Sequence, residues 1–262
     1  MNSQHFLQRR GHKQRVGVWC ALVLVWVVVA WAAQPSLAQR LIWLGTLGGD
    51  VSNAYGVSAD GSVVVGMARN AAGQERAFRW TASGGMQDLG TLGGGGSWAY
   101  GVSADGAVVV GGATNAASQP RAFRWTAANG MQGLGTLPGG SYSYAYGVSA
   151  DDAMVVGSAK NAAGRNRAVR WTLGSVEDLS ITYASQLTNG SVLEIARAIS
   201  PTGRYIVGWG YNAATNRTEA FLLDTLYTPP CNPPDGDVNG DGIVDDADLL
   251  IVLFNFGNRC GQ

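Results

Sequence analysis

The stretch that decides the fold runs from Leu89 to Trp125, and its three parts read Leu-Gly-Thr-Leu-Gly-Gly, Ala-Tyr-Gly-Val-Ser-Ala-Asp-Gly and Arg-Ala-Phe-Arg-Trp. The middle octapeptide begins at Ala54, Ala99 and Ala145, with a final Asp in the third copy, so the copies lie 45 and then 46 residues apart. The pentapeptide also occurs at Arg76–Trp80 and, as Arg-Ala-Val-Arg-Trp, at Arg167–Trp171, and a weaker fourth repeat spans Ala198–Leu223. Repeats of this length indicate an array of similar structural units.

Each repeat contains short segments of alternating polarity between turn residues, a pattern that predicts antiparallel β-strands. In the second copy the predicted strands are Ala99–Ser103, Ala107–Gly112, Arg121–Thr126 and Met131–Gly133. The pair Asp105-Gly106 predicts a type I′ hairpin turn, because both central positions of that turn need a positive φ. Asp60-Gly61 predicts the same turn, and Asp151-Asp152 a less favourable version.

Units of this size must stack, and we expect an all-β fold, a four-bladed β-propeller built from repeats of about 45 residues. Val63–Val65 would be buried between blades. Aromatic side chains that recur in the repeat would fill the core between blades rather than form a sugar platform; they are Trp80, Trp125, Trp171, Phe78 and Phe123. Leu41–Trp43 aligns with a fourth strand, which the last repeat lacks, so this N-terminal strand is expected to close the ring and remove two sheet edges.

The N-terminal residues 1–38 have the features of a secretory signal peptide. Basic residues precede an apolar run from Val16 to Ala33, and Ser36-Leu-Ala38 offers a cleavage site. We expect cleavage after Ala38 and a secreted, extracellular or cell-surface protein. An uncleaved membrane anchor is the alternative, because the run of 18 residues is long enough to span a bilayer.

Removal of the signal limits the chemistry of the mature chain, since His5, His12 and Cys20 all lie within it. Four of the 18 basic residues also lie there, which leaves 14 against 18 acidic ones. A chain without a basic face is not expected to bind nucleic acid. Without a histidine or a free thiol, Ser-His and Cys-His catalysis are excluded. We therefore expect no enzyme activity, with a glycosidase-like carboxylate pair as the alternative.

A Pro-rich linker at 228–234 follows the repeats. We expect a separate C-terminal module at 235–262. Cys231 and Cys260 bracket this segment, and in a secreted chain we expect them to form a disulfide. Between them lies an EF-hand-like loop with a glycine at its sixth position, which predicts a Ca²⁺ site. Its expected ligands are Asp237, Asn239, Asp241, the backbone carbonyl of Ile243, Asp245 and Asp248. An apolar helix is expected from Leu249 to Phe256.

Two resemblances to known families follow from these motifs. Residues 39–227 resemble the extracellular HAF repeat, in which Arg here replaces the histidine of the His-Ala-Phe triplet. That resemblance implies export and a repeat architecture. The loop and helix from Asp237 resemble one half of a dockerin type I module, which implies calcium binding and a cohesin-like partner. Asp246 and Ala247 differ from the hydroxyl pair often found where dockerins select their cohesin.

Together these features predict a secreted, non-catalytic HAF-repeat propeller with a calcium-binding tail. It would act as a monomeric binding or scaffold protein at the cell surface, with no membrane contact after signal cleavage. The extracellular ligand, protein or glycan, is left open. The alternatives are a dockerin-bearing component of a polysaccharide-degrading or cohesin-type assembly, and a glycosidase-like propeller with a pair of catalytic carboxylates.

Overall fold

The computed structural model describes residues 41–172, 174–188 and 190–226, and in this part of the chain each repeat forms one antiparallel sheet. Sheet 1 contains β1 (Gly48–Val57), β2 (Val63–Asn70), β3 (Glu75–Thr81) and β4 (Gly85–Asp88). Sheet 2 contains β5 (Gly93–Val102), β6 (Val108–Asn115), β7 (Pro120–Thr126) and β8 (Gly130–Gly135). Sheet 3 contains β9 (Ser143–Val148), β10 (Val155–Lys160), β11 (Asn166–Thr172) and β12 (Ser175–Asp178). Sheet 4 contains β13 (Val192–Ile199), β14 (Tyr205–Asn212) and β15 (Arg217–Asp224).

Consecutive strands pair in every sheet, so the predicted all-β repeat and its strand order are confirmed. A short helix, α1 (Leu179–Thr182), and a 3₁₀ turn at Ala184–Gln186 separate sheet 3 from sheet 4. Within the described residues, no helix has both the length and the apolar character needed to span a membrane.

The N-terminal strand predicted at Leu41–Trp43 is not formed. Residues 41–46 lie outside every strand, and sheet 4 has three strands among the residues that the structure describes. The side chain of Trp43 is 88% exposed. Leu41 and Trp43 bury little surface, so the segment has little gain to offset the entropy of fixing its backbone in a strand. Ring closure by this strand is therefore a prediction that the structure corrects.

The sheets pack face to face in chain order. We call the face of each sheet that carries Val65 or its equivalents the forward face, and the face that carries Val64 or its equivalents the rear face. The equivalents are Val110, Val156 and Val207 on forward faces and Val109, Val155 and Ile206 on rear faces. The first core cluster joins Val63, Val65 and Ala77 of sheet 1 to Val109, Phe123 and Trp125 of sheet 2. Two further clusters join sheet 2 to sheet 3 and sheet 3 to sheet 4 in the same sense, forward face on rear face.

Buried serines add polar links between neighbouring sheets. Ser97, in the first strand of sheet 2, accepts a hydrogen bond from the backbone N–H of Ala77 in sheet 1 at 2.9 Å. Its equivalent Ser143 accepts one from the N–H of Ala122 in sheet 2, also at 2.9 Å. A buried N–H without a partner costs free energy, so these hydroxyls set the position of each sheet against the next.

The hairpin turns between the first and second strands differ from the predicted type I′ geometry. Gly61 has φ 74°, but Asp60 does not have a positive φ. Instead the Asp60 carboxylate accepts hydrogen bonds from the Ser58 hydroxyl at 2.7 Å and the Ser62 N–H at 2.9 Å. The aspartate is therefore selected as a local acceptor, which is the usual reason for Asp in turns. In the third repeat Asp152 occupies the glycine position with φ 59°, so its predicted disadvantage is real.

Candidate functional site

Tyrosine residues recur at one position of the repeat and form a continuous row. Tyr55 of β1, Tyr100 of β5 and Tyr146 of β9 occupy the same place in the octapeptide. The ring centroids of Tyr55 and Tyr100 lie 5.9 Å apart, and those of Tyr100 and Tyr146 lie 5.4 Å apart. Arg197 of β13 is the fourth equivalent, and its guanidinium carbon lies 4.9 Å from the centre of the Tyr146 ring. The repeat thus places one ring or cation from each sheet side by side.

Two more tyrosines extend this row along β9. Tyr144 lies 6.4 Å from both Tyr100 and Tyr146, and Tyr142 lies 5.6 Å from Tyr144. The Lys160 ammonium lies 4.8 Å from the centre of the Tyr142 ring. We call the set Tyr55, Tyr100, Tyr142, Tyr144, Tyr146, Lys160 and Arg197 the tyrosine surface.

The glycine that follows Tyr100 explains why its ring can touch the ring of Tyr146. A Cβ atom at Gly101 would lie 2.6 Å from the carbonyl oxygen of Tyr146, closer than real Cβ contacts allow. Glycine at this place therefore lets the first strand of one sheet approach the first strand of the next. That approach brings equivalent side chains, which are a whole repeat apart in sequence, into ring contact.

The hydroxyl groups of the tyrosine surface are mostly unused by the protein. Tyr142 donates a hydrogen bond of 2.5 Å to the side-chain oxygen of Asn166. Among the described residues, no hydrogen bond is formed by the hydroxyls of Tyr55, Tyr100, Tyr144 and Tyr146. None of these four hydroxyls is among the buried atoms that lack a partner, so they are open to solvent. A hydroxyl in that position can both donate and accept a hydrogen bond with a molecule outside the chain.

The electrostatics of this surface suit binding rather than acid–base chemistry. Burial, followed by the neighbouring tyrosines, raises the pKa of Tyr100 well above its usual range. Burial likewise raises the pKa of Tyr142 and that of Tyr144. All three phenols are neutral at physiological pH and can both donate and accept hydrogen bonds. No carboxylate in the described residues pairs with Lys160 or Arg197, so both charges remain available to a ligand.

The carboxylates considered for catalysis have structural roles. Asp60, Asp105 and Asp151 each accept hydrogen bonds within their own turn, as expected. Asp178 is buried, lies 3.2 Å from Arg167 and caps the N-terminus of α1. Burial raises the pKa of Asp178 despite these partners. The neighbouring Glu177 pairs with Arg170.

Two of the three repeated tryptophans are core residues, as predicted. Trp125 and Trp171 are buried between sheets, whereas Trp80 is partly exposed because no sheet precedes sheet 1 in the described residues. The sequence interpretation overlooked the tyrosines. Their recurrence at one position of the octapeptide could have indicated a shared surface, but the octapeptide was used only to predict the fold.

The predicted calcium ligands lie outside the described residues. These are Asp237, Asn239, Asp241, Ile243, Asp245 and Asp248, and the same holds for the proposed disulfide, the linker and the signal segment. Within the described ranges, no group of three or more histidine, cysteine or acidic side chains could hold a metal ion.

Comparison with known proteins gives a distant structural likeness. No protein-family model matches the chain, and no curated protein matches it in sequence. TolB from Acinetobacter baumannii is similar over 66% of this chain and 41% of its own, at 19% identity and a TM-score of 0.48. A putative TolB from Agrobacterium tumefaciens is similar over 69% of this chain and 64% of its own, at 16% identity and a TM-score of 0.46. The chain therefore spans less than two thirds of either structure.

Proposed function

We propose that this chain is a secreted, non-catalytic binding protein that holds a carboxylate-bearing polysaccharide on its tyrosine surface. The observation that carries the proposal is the contact between tyrosine rings from three sheets, with four hydroxyl groups free of protein partners. Ligand sites are typically lined by aromatic side chains with a few convergent polar groups. The tyrosine surface has that composition.

The row of tilted tyrosine rings suits a saccharide. A pyranose ring has apolar C–H faces and a rim of hydroxyls, and an amphipathic tyrosine can contact both at once. The spacing of 5.9 and 5.4 Å between rings along the row offers successive platforms to a chain molecule. A polysaccharide can therefore use several tyrosines together, and weak contacts add up along the row.

The cations favour an acidic sugar. Lys160 and Arg197 stand at two edges of the tyrosine surface, each against a ring. Hydrogen bonds between a cation and a carboxylate are about twice as strong as neutral ones. A uronate carboxylate placed at Arg197 would gain that interaction, because no acidic side chain of the described residues competes for it.

The test is calorimetric titration of the full chain with oligogalacturonate and, separately, with a neutral glucose oligomer of equal length. We expect the acidic oligomer to bind more tightly. Tyr100→Ala should abolish binding, whereas Tyr100→Phe, which keeps the ring, should only weaken it. Trp43→Ala removes an exposed aromatic outside the strands and is the matched control. Failure of both oligomers to bind, or selective binding of a proline-rich peptide instead, would reject a saccharide ligand.

We also propose export through the N-terminal signal and calcium binding by the C-terminal module. Support comes from the basic and apolar pattern of residues 1–38 and from the ligand spacing of the loop at Asp237–Asp248. The structure offers no observation that favours the cohesin-assembly or glycosidase alternatives.

A further inference from the structure

The forward face of sheet 4 is apolar and exposed. Val207 is 41% exposed and its cross-strand partner Leu222 is 68% exposed, with Tyr205 and Trp209 beside them. The equivalent Val65 of sheet 1 is fully buried, because sheet 2 covers it. Sheet 4 thus presents the kind of face that every earlier sheet buries, and no described residue covers it.

The rear face of sheet 1 is exposed around Val57, although Phe78 and Ala68 of the same face are fully buried. Val57 is 60% exposed, whereas its equivalents Val102, Val148 and Ile199 pack on the forward face of the preceding sheet. Val64 and Trp80 of the same face are partly exposed, whereas Val109 and Trp125 at the equivalent places are buried. The part of this face around Val57 lacks the cover that a preceding sheet gives to its equivalents.

We propose that these two faces meet between two copies of the chain, with the forward face of sheet 4 on the rear face of sheet 1 of the second copy. The fold itself shows what such a face fits, since all three sheet contacts within the chain join a forward face to a rear face. Large exposed apolar patches mark interaction sites. Two copies joined head to tail supply eight sheets, within the four to eight blades of known propellers. A two-copy ring leaves neither face exposed. The proposal therefore replaces the monomer that we expected from the sequence.

The details of the two faces are compatible with this contact. The charged residues at the edge of the sheet 4 face, Arg204 and Asp224, pair with each other at 2.7 Å, so docking buries no lone charge. Ala198 of sheet 4 occupies the position at which the other three sheets have a glycine. In those sheets the glycine lies next to the first strand of the following sheet. Cβ atoms placed at the equivalent Gly56, Gly101 and Gly147 would lie 3.5, 2.6 and 3.3 Å from that strand. The Ala198 methyl therefore fits a sheet contact spaced like the first or the third one within the chain, and would clash in one as close as the second.

Sedimentation velocity and light scattering on the full chain test the proposal. Wild type should have twice the mass of one chain at about 100 µM, where a micromolar contact is saturated. Val57→Glu and Leu222→Glu should each give monomers. The ring has two contacts between sheet 1 and sheet 4, and Val57→Glu alters the sheet 1 face in both of them, whereas Leu222→Glu alters the sheet 4 face in both. Since the two variants keep opposite intact faces, an equimolar mixture should form a one-to-one dimer. Ile181→Glu changes an exposed apolar residue of α1 and should stay dimeric.

Thermal melts of the two variants check that they are folded, since an unfolded variant could not form the mixed dimer. A monomeric wild type would overturn the proposal and indicate that another part of the same chain covers the faces. A mixture that stays monomeric would do so too. A Val57→Glu protein that remains dimeric while Leu222→Glu does not would show a symmetric contact of sheet 4 with itself, and would also reject it.

Discussion

Tyr100 and Tyr146 are 46 residues apart in the sequence, yet their ring centroids lie 5.4 Å apart in the structure. Each belongs to the first strand of its sheet, and Gly101, which follows Tyr100, permits the close approach of the two strands. Tyrosines at the same position of successive repeats therefore lie side by side in one row. A property of the sequence that looks purely architectural thus creates the surface to which we assign binding.

The charge at the end of this row should select the ligand. Arg197→Gln should weaken binding of an acidic oligosaccharide about tenfold, or about 1.4 kcal/mol, and leave a neutral one nearly unchanged. The loss should shrink as salt is raised, since screening weakens the wild-type interaction. Calorimetry at two salt concentrations measures both effects. Arg217→Gln, an exposed arginine of β15, is the control, and an equal loss there would refute a specific role for Arg197.

Burial of the repeated tryptophans should govern their contribution to stability. Trp125→Ala should lower the free energy of unfolding by about 3–5 kcal/mol, as for other buried large aromatics. Trp80→Ala should cost less, because its side chain is already partly in water. Urea denaturation gives the two values, and acrylamide quenching should protect Trp125 more than Trp80. The two-copy contact would cover Trp80, so both substitutions should be compared in the Leu222→Glu variant, which we expect to be monomeric. Equal costs in that variant would show that Trp80 is covered in solution without a second copy.

Asp152 should be a weak point of the third repeat. It holds φ 59°, and its Oδ1 atom is buried without a hydrogen-bond partner among the described residues. Asp152→Gly should stabilise the chain by about 1 kcal/mol, after the entropic cost of glycine is deducted. The matched change Gly106→Asp should destabilise it, since a Cβ there would lie 2.5 Å from Val63 Cγ2.

The gain from Asp152→Gly should depend on pH. Burial, followed by the charge of Asp105, raises the pKa of Asp152 above the usual range of an aspartate. A raised pKa means that the charged form disfavours the fold, so stability is lost as pH rises through the folded-state value. Denaturation should therefore show a larger benefit at pH 7 than at pH 3. A benefit that does not change with pH would leave backbone conformation as its sole cause.

The turn aspartates should make the protein sensitive to acid. The Ser62 N–H and the Ser58 hydroxyl lower the pKa of Asp60 to about 2, and hydrogen bonds also lower those of Asp105 and Asp151. Their contribution is present above the unfolded pKa and is lost as pH falls from about 4 to about 2. Melting temperatures across that window should fall less in the triple Asp→Asn variant, which keeps acceptors that do not titrate. Identical slopes would count against this origin.

The calcium prediction for the tail can be tested on the full chain. We expect one ion to bind with a Kd of about 10⁻⁴–10⁻³ M, in the range of extracellular modules. Asp241→Ala should abolish binding, because it removes a ligand at the fifth loop position. Asp246→Ala removes the same charge from a position that is not a ligand and should retain binding. If calorimetry detects no heat with wild type up to about 10 mM calcium, the metal assignment fails.

The sequence by itself determined the repeat, the strand order of each sheet and the burial of Val65, Trp125 and Trp171. These features depend on local alternation and on apolar side chains that recur with the repeat, and both are visible in a single chain. The turn type was wrong, because Asp-Gly also fits a turn in which only the glycine has a positive φ and the aspartate accepts hydrogen bonds.

Only the tertiary structure decided what the repeats make together. The alignment of Leu41–Trp43 with a fourth strand did not decide pairing, because strand pairing depends on what a segment can bury, and Leu41 and Trp43 bury little. The tyrosine surface and the two exposed end faces arise from how neighbouring sheets approach one another. Contacts between residues a whole repeat apart follow from packing geometry, which the periodicity of a sequence implies but does not specify.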